Sequence, residues 1–218
     1  MPHRSVPHPA APDESAGGRP TDLRPFMAAF PTGVSVVTTL DSDSVPHGLT
    51  CTSLASVALE PATLVVCIRA ASPTLAVLLA EGHFAVNLLH ERARGTSDLF
   101  ASGAPDRFDR VEWRLPLGAG GPHLTADAHA VADCAVVRTV GFGDHTAVFA
   151  EARRVTVRED REPLLYGLRR YAPWSAAAAA PQPAAQSGTQ PAAPSGARRD
   201  LPAALRPAAP EGGTRVVR

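Results

Sequence analysis

Short β-branched runs separated by clusters of turn formers fill most of residues 34–158, and nowhere does the chain alternate strand with helix regularly. The runs are VSVVTTL (34–40), ATLVVCI (62–68), HFAVNLL (83–89), AVADCAVVRTV (130–140) and HTAVFAEARRVTVR (145–158). Valine, isoleucine and threonine lose χ1 freedom against a helical turn and pack well on a pleated surface, so these runs read as strands. DSDSVPHG leads from the first run into GLTCTSLASVALEP, its expected hairpin partner, and GFGD supplies the tight turn between the last two. ATLVVCI, after the Glu60-Pro61 break, is apolar enough for a central buried strand. Many short strands with few helices predict a mainly β fold, a β-barrel with flanking helices over its ends, rather than a doubly wound sheet.

The helices are short. SPTLAVLLAEG has Ser72 to cap it, Pro73 at its first position, Gly82 to end it, and Leu75, Leu78 and Leu79 at helical spacing. DLRPFMAAF (22–30) is capped by Thr21 or Asp22 and stopped by Pro31, and ERARGTSDLFASG (91–103) forms a third, weakened by Gly95. PLLYGLRRY (163–171) closes the unit. Residues 1–20, rich in Pro, Ala, Gly and His, read as a disordered leader, and residues 175–218 as a disordered Pro/Ala-rich tail without an aromatic side chain. Residues 21–174 are therefore the expected folded unit, a single domain.

A net charge of +0 gives no electrostatic footprint for nucleic acid. All 21 residues counted as Lys+Arg are arginine, which removes Schiff-base chemistry and the Walker-type phosphate loop, both of which need lysine. Cys51, Cys67 and Cys134 are odd in number, far apart and never C-x-x-C, so they read as buried free thiols in a reducing compartment. The N-terminus has no hydrophobic signal core and no apolar stretch reaches the roughly 18 residues needed to span a bilayer, so a soluble cytoplasmic protein without a membrane partner is expected. Gly118-x-Gly120 and Gly141-x-Gly143 complete no dinucleotide loop and read as turns. His123, Asp127 and His129 lack zinc-type spacing and read as a solvated loop, so no metal is expected. No G-x-S-x-G elbow is present, and no cysteine has a local histidine partner.

Two features remain. Hydroxyls and backbone N–H groups at Thr50–Ser53 suit a polar heterocycle, while Ser72 at a helix N-terminus suits a phosphate through the helix dipole and unpaired N–H groups. Each also reads as ordinary structure, the first as an edge strand and the second as a cap.

Order resolves this. FMAAFPTGVSVVTT (26–39), GLTCTSLASVALEPATLVVC (48–67), SPTLAVLLAEGHFAVNLL (72–89), DRFDRVEW (106–113), GDHTAVFAEA (143–152) and PLLYGLRRY (163–171) together resemble the flavin reductase family with the FMN-binding, Greek-key-like split-barrel fold. The resemblance implies an NAD(P)H:flavin oxidoreductase, homodimeric, using FMN or alternatively FAD with NADH or NADPH as hydride donor. It implies a separate flavin-dependent oxygenase as partner, the chain being the small component of a two-component monooxygenase. By the same resemblance Thr50, Cys51, Thr52, Ser53 and Leu54 line the isoalloxazine, with Ser56 and Val57 behind them. Ala71, Ser72 and Pro73 meet the phosphate end, His145 faces the nicotinamide, and Arg169 and Tyr171 lie on the segment approaching the pyridine nucleotide. Members often carry Asn or a basic residue just before the phosphate-side serine. This chain has Arg69-Ala70-Ala71 there, leaving Arg69 or an arginine farther along as the phosphate contact. Two alternatives within the fold are a flavin-binding sensor or storage module and an enzyme acting on an organic substrate.

Overall fold

The computed structural model describes residues 21–178. In chain order its elements are α1 (Arg24–Ala28), β1 (Thr32–Gly33), β2 (Ser35–Leu40), β3 (Pro46–Cys51), β4 (Ala55–Leu59), β5 (Ala62–Arg69), α2 (Pro73–Glu81), β6 (His83–Leu89), α3 (Arg94–Ser102), β7 (Ala128–Phe142), β8 (His145–Val157), β9 (Leu164–Gly167), β10 (Arg170–Pro173) and α4 (Trp174–Ala178). The Pro/Ala-rich stretch expected from Ser175 thus starts as one helical turn. Its remainder and the leader 1–20 lie outside the described residues.

Seven strands form one antiparallel sheet in the order β3-β2-β6-β7-β8-β5-β4. Its two ends are brought together just past β3, where Ser53 Oγ donates to the Cys67 carbonyl of β5 (2.8 Å) and accepts from the Cys67 N–H (3.0 Å). That seam gives the expected barrel. A smaller sheet, β1-β9-β10, stands beside it as an arm. The long β7–β8 hairpin turns through Gly143-Asp144, with Phe142 opposite His145 and Gly143 at φ 57°. A positive φ at the first of two loop residues is what the twist of a hairpin favours.

β2 is buried on both faces because its side chains alternate. Val37 joins Val66, Val86 and Val148 under Leu75 and Leu78 of α2. Val36 joins Leu89, Leu124 and Leu164 under Phe100 of α3. β5 departs from expectation. It lies next to an edge, and Cys67 is exposed between buried Val66 and Ile68, because the strand's outer face has no covering layer among the described residues. Of the three cysteines, only Cys51 and Cys134 are buried. At α1 the cap is Leu23, although the Asp22 carboxylate still accepts the Arg24 N–H (3.0 Å).

Residues 103–127 lie across β2 and β6, and buried polar groups hold them there. A Cβ on Gly121 would stand 2.3 Å from the Thr38 carbonyl oxygen, so only glycine permits the approach. Thr38 Oγ1 donates to Pro122 O (2.6 Å), and Asn87, fully buried in β6, donates to Thr38 Oγ1 (3.0 Å) and accepts from Leu124 N–H (2.9 Å). Asp133 accepts from Gly120 N–H, His123 Nε2 and Arg154 Nε, each at 2.8 Å. Burial alone pushes the Asp133 carboxyl up, but those three hydrogen bonds outweigh it and hold the group below its ordinary range. His123 is therefore no part of a solvated loop. It is buried support for the segment, as is Gly120, while Gly141 belongs to β7 rather than to a turn.

Candidate functional site

The stretch from Thr50 to Val57 runs off the end of β3, crosses the seam and becomes edge strand β4. Thr50 pairs with Val36 and Cys51 with Ser35, whose hydroxyl donates to Cys51 O (2.7 Å). The hydroxyls expected to face a ligand are largely committed within the chain. Thr50 Oγ1 donates to Ser97 O on α3 (2.7 Å). A hydroxyl has one proton, so Thr50 retains only acceptor lone pairs. Ser53 Oγ both donates and accepts at the seam, and Cys51 Sγ lies 3.1 Å from it. Burial pushes the Cys51 thiol up, which keeps it protonated and unreactive. Thr52 is exposed and Leu54 half-buried, in a segment belonging to no strand. Ser56 pairs with Leu64, and a bulge between Ser56 and Ala58 turns exposed Val57 out of register. Thr50, Thr52 and Ser53 therefore place small side chains along the chain as it leaves β3, with Cys51 buried beneath them.

Beyond the seam end of this stretch lies a second group. Two residues from Cys67, Arg69 pairs with His145 at the tip of the long hairpin. Ala70 N–H donates to Asp144 O (2.8 Å) and Ser72 N–H to Arg69 O (2.9 Å), which ties the loop entering α2 to the hairpin turn. Ser72 caps the nine-residue helix by position (φ −73°, ψ 124°) without a side-chain hydrogen bond, and Pro73 is its first residue. Pro73 has no N–H and Ala76 N–H already donates to Ser72 O, so the Thr74 and Leu75 N–H groups and the Ser72 hydroxyl are left to meet a ligand or solvent. Ala71 and Pro73 are exposed on either side. His145 Nδ1 lies 2.8 Å from Asp144 Oδ1, and the hydrogen bond to His145 holds the Asp144 carboxyl below its usual range. A carboxylate only accepts, so Nδ1 carries the proton and Nε2 faces outward.

A third group lies at the Thr50 end. Tyr171 OH is 2.9 Å from Ser97 Oγ, the Arg94 guanidinium carbon is 5.3 Å from its ring centroid, and the Tyr166 centroid is 5.1 Å away. Burial pushes the Tyr171 hydroxyl up. Arg169 does not join this group. It occupies the β9–β10 turn at φ 59°, beside Leu168 at φ 50°, within electrostatic reach of Asp22. Ser97 and Arg94 were not among the residues read from the sequence. The available signal was a small polar residue three positions before Phe100, on the inward face of an amphipathic helix.

Comparison with known proteins gives a consistent result. A family model described as "Flavin reductase like domain" matches residues 27–175. The chain is 47% identical over 154 residues to a flavin reductase (NADPH) from Lentzea aerocolonigenes, covering 71% of this chain and 89% of that one. The NADH:FAD oxidoreductase of Streptomyces globisporus, solved in complex with NAD and FAD fragments, superposes with a TM-score of 0.65 at 34% identity, covering 69% of this chain and 89% of that chain. The styrene monooxygenase flavin reductase of Pseudomonas putida does so with a TM-score of 0.63 at 31% identity, covering 70% and 96%.

Proposed function

Since this chain belongs to the flavin reductase-like family and is an NAD(P)H-dependent flavin reductase, we propose that it reduces FMN and releases it to a separate flavin-dependent oxygenase. The observation that carries this reading is the tie between the Ser72 loop and the Asp144-His145 turn, which sets a phosphate-competent helix N-terminus and a histidine at one end of a small-residue wall. When bound, the nicotinamide and flavin carry the hydride transfer between them. The chain's work is to hold and align. Thr50 Oγ1, its proton already donated, accepts from a ring N–H. Ser53 contributes through its backbone, because its hydroxyl closes the seam. Thr52, Leu54, Ser56 and Val57 complete the wall, and buried Cys51 supports it from behind.

At the other end, the α2 N-terminus, with Ala71, Ser72 and Pro73, takes one phosphate, and Arg69 stands beside it. One phosphate is what FMN carries and riboflavin lacks. His145 Nε2 bonds the nicotinamide carboxamide while Asp144 fixes the ring through Nδ1. Tyr171 meets the nicotinamide nucleotide from the arm, and Arg169 at the exposed turn contacts its outer part.

The active form is a homodimer. Leu59 (86% exposed), Phe142 (85%) and Val137 (54%) on β4 and β7 support this, being large apolar side chains in need of cover. The three free thiols suit a reducing cytoplasm, and no helix among the described residues is long and apolar enough to cross a membrane.

The test is steady-state turnover of NADH and NADPH against FMN, FAD and riboflavin, with light scattering for the dimer. FMN turning over with a lower KM than riboflavin is the expected result. Equal KM values would remove the phosphate site, and no oxidation of either nucleotide with any free flavin would overturn the reading.

A further inference from the structure

Ser97 touches both Thr50 of the wall and Tyr171 of the arm: its backbone carbonyl accepts a hydrogen bond from Thr50 Oγ1 (2.7 Å), and its Oγ lies 2.9 Å from Tyr171 OH. It is fully buried, in the second turn of α3, where a serine gains nothing from solvent. Thr50 belongs to the seven-stranded sheet and Tyr171 to the three-stranded arm, so the two are not joined by any backbone ladder. Besides its pairing with Tyr166 and the core beneath it, the arm's tyrosine is tied to the wall by α3, through Ser97 and Asp98 at its hydroxyl and the Arg94 guanidinium over its ring.

We infer that Ser97 is a positioning residue of the hydride-transfer site, registering Tyr171 of the arm against Thr50 of the wall and so fixing where the nicotinamide nucleotide lies over the flavin. This rests on the reading of Tyr171 as a nucleotide contact. A half-buried hydroxyl–hydroxyl bond restricts the phenol's rotation and presents one edge of the ring to the ligand. Losing it leaves the phenol to Asp98 and the ring contacts, loosened but not removed, so the effect falls on nucleotide KM more than on flavin affinity or on the rate at saturation. Arg94, half of whose interaction is an exposed pair with Asp98 at 3.4 Å, tunes the same ring from outside.

The experiment is a double-variant cycle with Ser97→Ala, Tyr171→Phe and both together, in the full-length chain, reading nucleotide KM, kcat and FMN affinity. Each single change is expected to raise nucleotide KM about 2- to 10-fold, the effect of one hydrogen bond, with kcat and FMN affinity within about twofold. The double variant should match the singles, because Ser97 acts only through the Tyr171 hydroxyl. A product of the two effects would mark Ser97 as structural and overturn the inference. A raised KM in Tyr171→Phe with an unchanged one in Ser97→Ala would also overturn it, leaving the role of Tyr171 intact. An unchanged KM in Tyr171→Phe would overturn both. Ser97→Cys, close in volume and weaker as a hydrogen-bonding group, gives the same comparison with an intermediate KM if Ser97→Ala folds poorly.

Discussion

His123 and His145 each lie 2.8 Å from an aspartate oxygen, at opposite ends of one long hairpin, and the two pairs do different work. At the root, the His123 and Asp133 side chains are 12% and 5% exposed, and every Asp133 lone pair facing the protein is answered by His123, Gly120 or Arg154. At the tip, the His145 and Asp144 side chains are 47% and 86% exposed and answer only each other. A buried carboxylate must be fully hydrogen-bonded or it costs stability, so the root pair is fixed by folding. An exposed pair adds little to stability but keeps a ring nitrogen available at a set angle. Burial, not chemical type, separates the brace at the root from the proposed tool at the tip.

Breaking the brace should have the largest effect. Asp133→Asn leaves His123 and the Gly120 N–H without their carboxylate in a buried setting, which costs about 1–3 kcal/mol, while the partly exposed Arg154 turns to solvent. That corresponds to a fall in Tm of roughly 5 °C for a domain of this size, read by thermal and urea unfolding. The pH dependence follows from the depressed carboxyl. Folded Asp133 binds its proton less readily than the unfolded group, so its contribution is fully present above the ordinary carboxylate pKa of about 3.9 and is lost as pH falls through the lower folded value. Wild-type stability should therefore drop more steeply below pH 4 than that of Asp133→Asn. Parallel acid limbs would show that the carboxylate is not what braces the root.

The same contrast explains what could be read from residues alone. Strand and helix positions carried strong local signals: HFAVNLL is β6 to the residue, and Ser72 and Gly82 bound α2 as their cap preferences require. The seam was not readable, because Ser53 meets Cys67 across 14 positions of chain and its hydroxyl looks the same whether it faces a ligand or a neighbour. The brace was hidden for a related reason. Asn87 is the one amide in an apolar strand, Asp133 the one acid in another, and their partners come from a glycine-rich segment that reads locally as a loop. Polar residues on buried faces are set by tertiary contacts, which periodicity does not encode. Ser72 and His145, to which ligand roles are proposed, sit at a helix end and a hairpin tip, positions that local sequence signals do mark.

Removing the tool should spare the fold and impair turnover. His145→Ala is expected to leave Tm unchanged within about 2 °C, as exposed substitutions change stability by no more than about 0.5 kcal/mol. It should raise nucleotide KM about 10-fold, the loss of a hydrogen bond together with the ring that makes it, with FMN affinity preserved. A large Tm loss would place His145 with the brace and erase the distinction between the two ends of the hairpin.

Ser72 sharpens the comparison further, since it is a cap in position whose hydroxyl makes no cap bond. Serine caps that do bond lose about 1 kcal/mol on replacement by alanine. Ser72→Ala should cost only a few tenths in the ligand-free protein, because no such bond is present to lose. Its measurable consequence belongs to the ligand: FMN affinity should weaken by about 3-fold, a partly solvated hydroxyl–phosphate bond, with the helix N–H groups still in place. Riboflavin affinity, measured in the same titration, should not change. A loss common to both flavins would mean that Ser72 shapes the loop rather than the phosphate site, and a stability loss of about 1 kcal/mol would mean that the hydroxyl caps α2 in solution. Either outcome would move Ser72 to the side of His123, among the groups that the fold has already claimed.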